Sequence, residues 1–270
     1  INSIAAGLIA FILLWTVQLF VSMLAATTFE FKGIIYFDAL KFLNATGKYE
    51  LDRVLFFYGL GPALSLLLTL VFSRLFANTQ LRQYRLLLSW FVFFSVFFFF
   101  GFIGASFFSR RFLGVLVFFS PSPKWFGYVA AAPLFAAAIL VARPLVPFFL
   151  RAATSNYIVQ EFKKDFFQYT VLIPGIAIGL VLGLISMLRW QQFTLVLILA
   201  FMVVALAITL YGKSRYDFRS VKKERAKLSY SYLIGAVLAV LWAVYLNVVG
   251  LHTFATVSYT HLTLPTNREV

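Results

Sequence analysis

The chain has 270 residues, of which 62% are hydrophobic and 12% charged, with a mean hydropathy of +0.93. About a quarter of a soluble domain's residues are charged, so this chain cannot clothe itself in a water-facing shell, and 34 phenylalanines exceed what one soluble core hides. A net charge of +14 would suggest nucleic acid in a soluble protein, but the basic residues fall between the apolar runs, where membrane topology places them; nucleic acid is excluded as a partner, and the absence of cysteine excludes disulfides, thiolate metal sites and a Cys nucleophile.

A bilayer core about 30 Å thick takes about 20 apolar residues in a helix. Runs of that kind lie at 4–26, 54–76, 86–108, 126–142, 170–188, 193–211 and 232–250. They predict an all-α polytopic transmembrane helix bundle of about seven spans, with residues 1–256 forming one domain.

The first connection, "TTFEFKGIIYFDALKFLNATGKYELDR", joins a β-like run, "FEFKGIIYF", to the turn signal "NATGK". It predicts a small β-hairpin lying against the membrane surface. Asn44-Ala45-Thr46 matches a glycosylation acceptor, relevant only in a secretory host. Glu30, Asp38, Glu50 and Asp52 form the one acidic cluster. As carboxylates they suit acid–base chemistry if folded together; among four basic residues they also read as a self-neutralised surface.

The second span opens with "YGLGPALS". Proline is tolerated in a first turn, where its missing N–H removes no helical bond. Gly59, Gly61 and Pro62 therefore predict a helix start against a close neighbour. Further on, "FLGVLVFF" (112–119) is too short to span and reads as interfacial or re-entrant.

In the fourth span Arg143 precedes Pro144, which disfavours helical geometry at the arginine and predicts the end of the span there. Its side chain then snorkels to the headgroups; the alternative is a functional charge lining a cavity. In the fifth span "PGIAIGLVLGLIS" places Gly175, Gly179 and Gly183 on one helical face, a small-xxx-small stripe that lets backbones approach closely. Gly101 with Ala105, and Ala132 with Ala136, offer similar faces. Trp125, Trp190 and Tyr211 stand at span ends, as an interfacial aromatic belt requires.

The sixth connection is the most basic, with Lys213, Arg215, Arg219, Lys222, Lys223, Arg225 and Lys227. It suits anionic lipid headgroups, and it sets topology. One side of the predicted bundle collects 13 Lys and Arg residues against 8 on the other, which puts the N-terminus in the cytoplasm, as for a bacterial inner-membrane protein.

Ionisable groups at membrane depth are the usual mark of a transport or catalytic site. The centres of the third, fifth, sixth and seventh spans have none. His252 follows the last span and reads as interfacial, His261 lies in the tail, and no zinc, serine-hydrolase, Walker or dinucleotide motif occurs. No cofactor is expected. The chain opens on Ile rather than Met, which predicts a missing start, and "VSYTHLTLPTNREV" (257–270) resembles translated sequencing-adapter read-through.

A first span, a long hairpin-like connection and Gly61-Pro62 in the next span together resemble the front of the site-2 protease family of intramembrane zinc metalloproteases. The resemblance covers about residues 1–77; Ser65 stands where that family more often has Asn. It would imply H-E-x-x-H on the first span and a later Asp ligand. The first span ends "FVSMLAATTFE" without a histidine, and Glu30 alone cannot hold zinc, so the resemblance implies a non-proteolytic relative. Three readings follow: a non-catalytic scaffold, partner subunit or lipid-interacting component of the membrane; a transporter of an uncharged or lipid-like substrate; or a membrane enzyme of that degenerate kind.

Overall fold

The computed structural model describes residues 1–37, 39–43, 50–79, 82–119, 123, 125–152, 166–187, 192–215 and 230–253, without the side chains at 82, 83, 116–119, 192, 213–215 and 253. Asp38, the Asn44 acceptor, Arg189, Trp190, the segment from Arg219 to Lys227 and the tail at 257–270 lie outside them. Seven of the described helices are long and apolar enough to cross a membrane. The chain is an integral membrane protein built as a helix bundle.

The helices are α1 (Asn2–Thr27), α2 (Leu51–Asn78), α3 (Arg82–Ser109), α4 (Phe126–Ala152), α5 (Ile173–Met187), α6 (Gln192–Arg215) and α7 (Tyr230–Val248). Helix α1 is the axis, packing against α2, α3, α5 and α7. Its small residues explain this place: Ala6, Ala10 and Ala26 are fully buried, and a Cβ on Gly7 would stand 3.3 Å from the Trp90 ring. Small side chains let several helices crowd one another where lipid removes the hydrophobic drive between them.

Several hydroxyls inside the bundle are satisfied locally. Hydroxyls bond the carbonyl one turn back, as in Ser106 to Phe102 at 2.7 Å, Ser186 to Leu182 at 2.8 Å and Thr209 to Ala205 at 2.9 Å. Pro174 shows a second device. It lacks an N–H for the Thr170 carbonyl, and the backbone before it widens into a π turn over Gln168–Leu172. The freed Thr170 carbonyl accepts from Ser3 Oγ at 2.6 Å, and Ser3 Oγ accepts from Trp90 Nε1 at 3.0 Å. One proline thereby ties α1, α3 and α5 together.

Three short strands, β1 (Gly33–Ile35), β2 (Leu40–Phe42) and β3 (Leu251–Thr253), form an antiparallel sheet in the order β2-β1-β3. The expected hairpin exists, but it does not lie on the surface. Ile35 and Phe37 are fully buried, and Trp15 Nε1 donates to the Phe37 carbonyl. Trp15 stands twelve residues before the end of α1, about 18 Å along the axis, so the hairpin re-enters the bundle. Gly33 fits against α1 because a Cβ there would stand 2.6 Å from Met23 Cε. Gly250, at φ +74°, turns the chain from α7 into β3, where a Cβ would stand 2.6 Å from Ile34 and Tyr36.

Two proline readings are corrected. Pro62 does not open α2, which begins at Leu51 and puts Pro62 three turns inside the helix. Pro144 does not end α4, which runs through Pro133, Pro144 and Pro147 to Ala152. In an apolar medium backbone groups have no water to turn to, so a helix continues past a proline that would end it in water. The stretch at 112–119 is a 3-10 helix folded back against α2 and α3. Gly114 permits it: a Cβ there would collide with the Ser106 carbonyl and stand 3.1 Å from Phe107 Cα.

Candidate functional site

The centre of the bundle is occupied by aromatic rings around Trp15. Their centroids lie 5.7 Å away for Phe98, 5.8 Å for Phe102, 5.9 Å for Phe193, 6.4 Å for Phe11 and 6.5 Å for Phe112. Phe112 reaches this cluster from a backbone held at φ 51°, unusual for a bulky residue. These offset and edge-on geometries suit ring quadrupoles and fill space without polar atoms.

Beside the rings lies a polar seam between α1 and α2. Gln18 Nε2 donates to Ser65 Oγ, whose own hydroxyl lies 3.3 Å from the Gly61 carbonyl. A Cβ on Gly61 would stand 3.2 Å from Ser22 Oγ and 3.5 Å from the Gln18 carbonyl. Gln18, Ser22 and Ser65 are all buried, and Gln18 Oε1 has no partner. Gly61 therefore is the close-approach residue expected of "YGLGP". Gly59 is not: its Cβ position has nothing within 4 Å.

The α5 stripe divides in the same way. A Cβ on Gly175 would stand 3.0 Å from Ala205, and one on Gly179 would meet Met202 Cε and stand 3.3 Å from Ile198, all on α6. Gly183 faces open space. A Cβ on Gly101 would stand 2.6 Å from the Phe97 ring of its own helix. Gly104 takes the approach of Phe135, with 3.1 Å left for a Cβ, and Ala132 and Ala136 are exposed.

The acidic residues do not converge into a cleft among the described residues. Glu30, Glu50 and Asp52 are exposed, and Glu50 pairs with Arg53 at 3.2 Å. His252 is exposed on β3, paired in register with Ile34. No group of three or more His, Asp or Glu side chains that could hold a metal ion occurs among the described residues. Arg143 is exposed on α4 rather than turned into the bundle. Lys213 and Arg215 end α6; the rest of the basic connection lies outside the described residues.

Sequence reasoning passed over Gln18, Ser22 and Asn247, whose Nδ2 donates to the Ile185 carbonyl at 2.6 Å. The available signal was an amide inside an apolar span, a costly residue that needs a partner. Chemically the seam is neutral. An amide and two hydroxyls titrate nowhere near neutral pH, so they hold helices by hydrogen bonds, each contributing about 0.6 kcal/mol in a membrane. Comparison with family models, curated proteins and solved structures finds no match to this chain.

Proposed function

We propose that this protein is a non-catalytic component of a bacterial inner membrane, acting as a scaffold or partner subunit, with its N-terminus in the cytoplasm. The observation that carries the reading is the Trp15 ring cluster: the place where a transporter needs a polar path is filled by Trp15, Phe98, Phe102, Phe112 and Phe193. The neutral seam of Gln18, Ser22 and Ser65 supports it, since none of these groups can relay a proton. The 13-to-8 asymmetry of basic residues supports the orientation. On that orientation the connection from Lys213 to Lys227 meets anionic headgroups, at about 1 kcal/mol per basic residue.

A second reading has its own observation. The residues of α1 against Gly61 are Gln18 and Ser22, four apart, the spacing of the two histidines in H-E-x-x-H. A hairpin re-entering between α1 and α2 accompanies them. This supports descent from the site-2 protease family with the metal-binding side chains replaced.

Reconstitution tests the first reading. Proteoliposomes should show no saturable uptake of neutral solutes and no lipid scrambling above protein-free vesicles; either activity would overturn it. Because the chain has no cysteine, Asn2→Cys labelled by an impermeant maleimide only from the cytoplasmic side would support the orientation.

A further inference from the structure

Among the described residues, helix α4 leaves one face without a partner along its length. It packs against α3 and α6, while Trp125, Val129, Ala132, Ala136, Leu140 and Arg143 are exposed. At 100° per residue, Ala132, Ala136 and Arg143 fall within about 40° of one another, a single line down the helix. The structure corrects the expectation that the span ends at Arg143: the guanidinium belongs to a residue nine positions before Ala152, about 13 Å along the axis. Arg151, also exposed, already supplies a cation at the end of α4 for headgroups. Arg143 lies about 12 Å deeper.

A cation at that depth is costly unless paired. Arg143 makes no hydrogen bond or ion pair among the described residues. The only carboxylate inside a described helix is Asp52, in the first turn of α2 at the sheet end of the bundle. Arg143 is nearer the other end, where Ser89 near the start of α3 donates to the Phe148 carbonyl at 3.1 Å. Among the described residues a second copy of this chain brings no acid at the matching depth, and it would set arginine against arginine.

We propose that the Ala132–Ala136–Arg143 face of α4 docks a transmembrane helix of a different protein, one carrying a glutamate or aspartate at the depth of Arg143. The alanines admit the close backbone approach that a helix needs and an acyl chain does not, and the carboxylate supplies the counter-charge that no described residue gives Arg143. The proposal rests on the partner-subunit reading and gives that partner its chemistry.

The test uses the full chain in phosphatidylcholine vesicles at pH 8, labelled with a donor dye at Leu51→Cys. The probe is an acceptor-labelled Leu/Ala transmembrane peptide with one central Glu, compared with the same peptide carrying Gln. Energy transfer should show the Glu peptide bound at least about tenfold more tightly. Arg143→Leu should erase the difference, Arg143→Lys should keep part of it, and Ala136→Leu should weaken the Glu peptide without changing thermal stability. Equal binding of both peptides, or a preference that survives Arg143→Leu, would overturn the proposal. So would loss of the preference on adding phosphatidylglycerol, which would assign Arg143 to a lipid phosphate. Solute uptake by the same vesicles would sink the non-catalytic reading while leaving a Glu preference standing, so the two failures are distinct.

Discussion

Helices α1 and α7 are both oily, and both are long and apolar enough to cross a membrane. Yet 67% of the apolar stretch of α1 is buried inside the protein and only 28% of that of α7. Hydropathy registers removal from water, and lipid and protein neighbours satisfy it equally well. What separates the two helices is side-chain size and polarity. The buried helix carries Ala6, Gly7, Ala10, Gln18 and Ser22 between its large residues, whereas Leu238 and Leu241 of α7 are 60% and 59% exposed. In such a bundle small or polar residues mark the interior, and large aliphatic ones mark the lipid face.

Substitutions can break that contrast, the largest effect first. Trp15→Ala removes the hub of the ring cluster and a bond to the Phe37 carbonyl, and should cost about 3–5 kcal/mol. Leu241→Ala on α7 should stay within about 0.5 kcal/mol. Thermal unfolding in one detergent checks both, and equal losses would refute the contrast. Gly114→Val should be nearly as damaging as the tryptophan change, about 3 kcal/mol, because the neighbouring atom is backbone and cannot rotate away.

The α5 glycines sharpen the comparison inside one helix. Gly179→Leu should lower stability by about 1–3 kcal/mol through Met202 and Ile198, while Gly183→Leu, into open space, should leave the melting temperature unchanged. A smaller effect is expected at the seam. Gln18→Leu loses the bond to Ser65 but also relieves an unpartnered oxygen, so the net cost should be about 0.5–1 kcal/mol. Gln18→Glu, which places a charge there, should cost more and recover at low pH.

Much of the fold was legible. The seven apolar runs became the seven spanning helices, with α1 extending the first run by only a few residues. That follows because one physical quantity, the length of an apolar run, decides whether a helix crosses. The prolines misled because their rules come from helices in water, where Pro62 and Pro144 would mark ends. Glycine spacing named the right helices, and Gly61, Gly175 and Gly179 within them, but could not separate these from Gly59 and Gly183. Gly59 and Gly61 differ only in which way their Cα points, and that is set by where α1 lies.

The site was less legible than the fold. The β-like run "FEFKGIIYF" announced a hairpin, but its depth rests on Trp15 and its third strand on Leu251–Thr253, residues far away along the chain. No local pattern encodes such a meeting. Arg143 drew notice for its charge, yet its placement depended on whether α4 stopped at Pro144. The helix continued, so a residue expected at a boundary became one within a span.

The pairing of β1 with β3 has a consequence for how the protein is made. Gly33 faces Thr253 across the sheet, so about 200 residues separate the partners, and a ribosome adding 5–20 residues per second takes roughly 10–40 s to bridge them. During that interval the middle strand has a vacant edge on an emerging polypeptide whose first helix has already entered the bilayer. Only delivery of the seventh helix brings the strand that closes it. The hairpin beside α1 is therefore closed only after α7 is in place, with β3 acting as its latch.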